Sequence, residues 1–165
     1  MRALRHPAAR LAPVAAAATV AALLVAGSAR AARMHAFSAR YAGTGSGHVS
    51  NGKASGSATI HGTGRPIGAG TLTGSATGTF TTATCVVFSG RARLAGRHGS
   101  LRLVVHGARA CASEPGAKTV SFSGTTRVVG STGVFAHAGG TLSFHGTYVQ
   151  ATRAVTVSFR GRIKY

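Results

Sequence analysis

Polar and apolar residues alternate along most of this chain. From 54 to 62 the even positions read Ala54, Gly56, Ala58, Ile60 and Gly62, and the odd ones Ser55, Ser57, Thr59 and His61. From 70 to 80 the even positions are Gly70, Leu72, Gly74, Ala76, Gly78 and Phe80, while the odd ones are all Thr or Ser. Successive side chains leave a strand on opposite sides, so period two marks a strand with one face on a core. In the second half the same pattern carries larger residues. Leu101, Leu103, Val105 and Gly107 share a face, as do Val120, Phe122, Gly124, Thr126 and Val128. Leu142, Phe144, Gly146 and Tyr148 form a third set, and Val155, Val157, Phe159, Gly161, Ile163 and Tyr165 a fourth. No helical spacing persists, and Thr and aromatics favour strands.

The pattern predicts eight strands, at 35–45, 53–62, 67–81, 85–95, 100–110, 119–129, 140–149 and 153–164. Turn signals separate them: Ser50-Asn51-Gly52, Gly64-Arg65-Pro66, Gly96 to Gly99, Glu114-Pro115-Gly116 and Gly130 to Gly139. Short connections at even spacing predict an all-β fold, an eight-stranded antiparallel up-and-down barrel, with a two-sheet sandwich as the rival. A Phe-x-Gly signature recurs at Phe88-Gly90, Phe122-Gly124, Phe144-Gly146 and Phe159-Gly161. Phe and Gly two apart share the inner face, where a ring covers the bare backbone and the strand can bend to close a sheet. The expected lining is Leu72, Phe80, Phe88, Leu103, Phe122, Phe144, Tyr148 and Phe159.

The first 31 residues read differently. Arg2, Arg5 and Arg10 precede an apolar stretch from Val14 to Ala26, and Ala29-Arg30-Ala31 is a small-x-small cleavage signal. We read 1–31 as a secretory signal forming an N-terminal helix and 32–165 as one barrel domain, acting at the cell envelope or outside the cell. In an exported chain Cys85 and Cys111 are expected to form a disulfide. They flank a hairpin turning near His98 at equal distances, yet the apolar parity changes from even in 88–94 to odd in 101–105. That conflict predicts a one-residue bulge in the hairpin or an offset disulfide.

Composition narrows the chemistry. The sequence holds 19 Lys+Arg and one acidic residue, Glu114, for a net charge of +18. Arg2, Arg5, Arg10 and Arg30 lie in the signal segment, which leaves +14 for the barrel. One carboxylate excludes a paired-carboxylate glycosidase, a Ser-His-Asp triad and an oxygen cage for calcium or magnesium. No cofactor motif is present; the glycine-rich stretches lack the context of a phosphate loop. Of the histidines, His106 and His145 are expected outside, and His48, His61, His98 and His137 at strand edges or turns, so no metal site is expected.

Residues 128–141, from Val128-Val129-Gly130-Ser131-Thr132-Gly133-Val134-Phe135 to Thr141, resemble the glycine-rich segment of the allene oxide cyclase and dirigent-like barrels. The resemblance is closer to small secreted bacterial barrels of unknown function that share this segment. It implies an eight-stranded antiparallel barrel, with Ser131 and His137 in place of two family glycines. The enzymes of that group use interior polar or charged groups, acidic ones among them, and this chain has no interior acid to match them. Phe135 is expected to plug one mouth.

The most tangible candidate site is a basic outer face: Arg91, Arg93, Arg102, Arg127, Arg160, Arg162 and Lys164, with Arg97 and Arg153 nearby. A field of this sign recruits polyanions, here envelope polymers, anionic head groups or extracellular DNA. Nucleic acid would be bound without sequence preference, because no aromatic is expected outside to stack on bases. The reading favoured is a non-enzymatic, disulfide-linked barrel that binds an anionic polymer or partner. The alternatives are a small apolar ligand inside the barrel, or an isomerase or cyclase using Tyr41, Tyr148, Arg40 or an inward histidine.

Overall fold

The structure is a computed structural model, and it describes residues 33–165. The expected signal segment, helix included, lies outside the described residues. Eight strands follow one another: β1 Met34–Ser50, β2 Lys53–Arg65, β3 Gly68–Phe80, β4 Cys85–Gly96, β5 Gly99–Ala112, β6 Thr119–Gly133, β7 Gly139–Val149 and β8 Ala154–Lys164. Each pairs antiparallel with its sequence neighbours, and β8 pairs with β1 from Met34↔Lys164 to Thr44↔Ala154. The barrel is therefore closed, which settles the choice against a sandwich and leaves no free sheet edge.

β1 runs five residues beyond its expected end at 45. Its Gly/Ser-rich tail pairs with β2 down to Ser50↔Lys53, across a two-residue turn of Asn51 (φ 50°) and Gly52 (φ 71°). Positive φ at both positions gives the turn whose twist matches that of the flanking strands.

The inner face follows the alternation. Tyr41, Ile60, Leu94, Leu101, Leu103, Leu142 and Ile163 are fully buried, and Phe144 and Phe159 nearly so. Phe88 and Phe122 pack against this core from partly buried positions. Opposed pairs explain the Phe-x-Gly signature. Phe122 faces Gly146 and Phe144 faces Gly124 across β6 and β7, so each ring lies over the other strand's glycine. One mouth is sealed. Ile67 and Phe135, both in turns there, are fully buried, and Phe135 meets the Tyr165 ring edge-on at 5.1 Å. Ser131 Oγ accepts a bond from the Ala138 amide at 2.9 Å and ties this turn down. Phe80 and Tyr148 lie toward the other mouth and are half-buried.

The hairpin β4–β5 contains the bulge that the cysteine spacing requires. Phe88 pairs with Ala108 and Gly90 with Val105, so Ser89 alone opposes two residues, His106 and Gly107. Gly107 has φ +64° and its amide donates to Ser89 Oγ at 3.4 Å. This corrects one expectation: Gly107 does not share the inner face with Leu101 and Leu103 but is exposed, and Ala108 takes the inward place. The left-handed glycine lets β5 change parity in mid-strand. A second bulge, at Val129 of β6, turns Ser131 inward opposite Leu101.

Candidate outer-wall site

Outward positions divide the barrel into two walls. The outer face of β1–β3 is a field of hydroxyls in register: Thr44, Thr59 and Thr73 form one row, and Ser46, Ser57 and Ser75 the next. Ser46 and Ser57 share a hydrogen bond of 2.9 Å. The outer face of β4–β8 is cationic. Arg91 opposes Val104, Val104 opposes Arg127, Arg127 opposes Thr141 and Thr141 opposes Arg162. Arginines thus stand on every second strand of that row, about 10 Å apart. Arg160 and Lys164 continue along β8 beside Arg162, and all of these side chains are exposed.

Arg93 and Arg102 are direct cross-strand partners. Like charges opposite each other destabilise a sheet. The two side chains part: Arg93 Nη2 reaches Ser100 Oγ at 3.5 Å, and the Arg102 guanidinium lies over the backbone of Gly130. The chain's one acidic side chain, Glu114, sits in the turn between β5 and β6, away from both partners in sequence and on no strand.

The seven cations expected on the basic face are therefore on one continuous wall. Arg97 and Arg153 are not part of it; they lie in the β4–β5 and β7–β8 turns. The wall has two further members that parity alone concealed or left aside. Arg109 is carried outward by the Gly107 bulge, and Arg40 projects from β1 with Nε 3.4 Å from Ser158 Oγ. The bulge itself was legible in the parity conflict, and it was the signal that could have found Arg109.

Cys85 and Cys111 face each other directly and are disulfide-bonded, with Cα atoms 4.2 Å apart. The bond clasps the outer side of the hairpin beyond the bulge, next to Arg109. The histidines scatter. His48 and His61 lie within β1 and β2 rather than at turns, with His61 Nδ1 3.2 Å from Thr71 Oγ1. Among the described residues no three His, Cys, Asp or Glu side chains come together. The interior holds one polar oddity: the Tyr41 hydroxyl is buried without a hydrogen-bond partner, and its burial raises the phenol's pKa above the usual 10.0.

Comparison with family models, with curated proteins and with solved structures gave no match.

Proposed function

We propose that the protein is exported and acts at the cell envelope or outside the cell as a non-enzymatic barrel, binding an anionic polymer or partner through the β4–β8 wall. One observation carries this reading. Arg93 and Arg102 are held opposite each other on a strongly basic wall, and no carboxylate shares the strands with them. A wall of one sign recruits polyanions by its field, and the two guanidinium groups, turned apart, are both free to meet one. The disulfide is consistent with an oxidising compartment. The likeness of residues 128–141 to the allene oxide cyclase and dirigent-like barrels belongs to the same proposal as kinship of fold. It brings no catalytic role, because Glu114 lies in a turn.

Heparin affinity tests the reading. The barrel domain is expected to stay on the column above about 0.15 M salt, where exposed single contacts are already screened. Elution below that concentration contradicts it.

A second reading, a small ligand inside the barrel, draws on the unpartnered Tyr41 hydroxyl. Saturable binding of an apolar fluorophore, lost in Tyr41→Phe, would favour it over the wall.

A further inference from the structure

Five strands set one row of outward side chains in unbroken register. Arg109 opposes Ser123, Ser123 opposes His145, His145 opposes Ser158 and Ser158 opposes Arg40, running from β5 to β1 through the barrel's closure. The row below it supplies Ser121, Thr147 and Thr156. Together they line a groove of about 750 Å³ on the outside of the barrel. No group in it carries a negative charge. It offers two guanidinium groups, an imidazole and a series of hydroxyls. Thr147 and Thr156 share one hydrogen bond of 2.9 Å, and Arg40 lies along β8 against Ser158.

The dimensions select the ligand. At about 4.8 Å per strand, four intervals put the backbone positions of Arg109 and Arg40 about 19 Å apart along the wall, a span that Arg40 shortens by leaning over Ser158. A single small anion reaches one of them only. A ligand that uses the whole row is extended, carries charge toward both ends and presents acceptors between. Arginine with Ser and Thr hydroxyls is the donor set that commonly contacts phosphate oxygens. A phosphate chain holds its oxygens on the backbone at every link, so it meets donors along its length; a polycarboxylate holds its charges on side arms. Bases have nothing to stack on, because no Phe or Tyr stands among the groove's outward side chains; Tyr41 and Phe122, which also border it, belong to the inner face.

We propose that this groove seats an extended, base-free phosphate polymer, laid across the strands from Arg109 over His145 to Arg40. The proposal rests on the reading of the chain as a polyanion binder and names the seat and the ligand chemistry.

The test measures the affinity of the barrel domain for long-chain polyphosphate at about 0.15 M salt. Arg40→Ala with Arg109→Ala is expected to weaken binding about tenfold, whereas Arg91→Ala with Arg127→Ala, an equal loss of charge outside the groove, weakens it about threefold or less. Pyrophosphate, too short to use the whole row, is expected to bind wild type far more weakly than polyphosphate does. In wild type, polyphosphate is expected to move the amide resonances of Ser123, His145 and Ser158, a readout that needs no variant. Equal losses in the two double variants, with no shift at these amides, overturn the groove and leave the basic wall standing. Tighter binding of polyglutamate or single-stranded DNA than of polyphosphate overturns the ligand assignment. Failure of wild type to hold either polyphosphate or heparin overturns both the groove and the wall.

Discussion

Gly107 decides where Arg109 points. It sits at φ +64°, and a Cβ placed there would have nothing within 4 Å, so the cost of a side chain is purely that of the left-handed backbone. Gly107→Ala is expected to destabilise by about 1–2 kcal/mol in urea unfolding, and Gly107→Asn by less, because Asn tolerates this conformation. Equal, negligible effects would mean that the bulge relaxes without it. From sequence this glycine looked like one more inward residue. Beyond it Ala108 and Ala110 are too small to announce a change of face, and only the cysteine spacing betrayed the shift. Tyr41 was equally opaque. Its place among the possible acid–base residues said nothing of its face, and no pattern reports that a hydroxyl will find no partner. Tyr41→Phe is expected to stabilise by about 1 kcal/mol, since it removes a buried unpaired hydroxyl and keeps the ring. The sign with pH follows from the raised pKa. The fold favours the protonated phenol, so Tyr41 leaves stability untouched below pH 10 and drains it as pH climbs through and above that value. Thermal denaturation from pH 9 to 11 should show a shallower decline in the Phe variant; parallel curves would remove Tyr41 as the cause.

At the scale of elements, the strands richest in large apolar residues were the most legible. In β6, β7 and β8 the phase, the turns and the role of Phe-x-Gly could all be read, because a ring and a glycine two apart state which face is inside. The Gly/Ser half was harder. β1 from 43 to 50 has no apolar residue before Val49, and its strand character comes from β2, which pairs with it through Ser50↔Lys53. The local trace of that pairing was the Asn51-Gly52 turn, which fixes the register without any apolar phase in the strand. The glycines of β6 and β7 are fixed by what covers them: a Cβ on Gly146 would collide with the Thr156 carbonyl and stand 2.5 Å from the Phe122 ring. Gly146→Ala is therefore expected to destabilise by about 1–3 kcal/mol through overpacking, measured by chemical denaturation. The hairpin β4–β5 depends on its clasp as well. With a sequence separation of 26, losing the disulfide in Cys85→Ser with Cys111→Ser should lower stability by about 3 kcal/mol, while the circular dichroism of the barrel is kept.

Over the whole molecule, closure turns a period-two sequence into a two-sided object. Joining β8 to β1 places Arg40 at the end of a row that begins at Arg109, more than sixty residues away along the chain, and this juxtaposition could not be read from spacing alone. What composition did supply was the sign of the field and the near absence of acids. The walls supply its direction: mainly hydroxyls on β1–β3, and cations on β4–β8 with Arg40 of β1 at their closure. The central claim is that this wall, and not total charge, holds the polyanion. The slope of log affinity for heparin against log salt measures it most directly, because each anionic contact releases counterions. Replacing Arg91, Arg127 and Arg162 by Ala is predicted to lower the slope by about one for each arginine removed. Replacing Lys53 and Arg65, at the two ends of β2 on the hydroxyl side, is predicted to leave the slope unchanged. A slope that falls equally for either set would contradict the account.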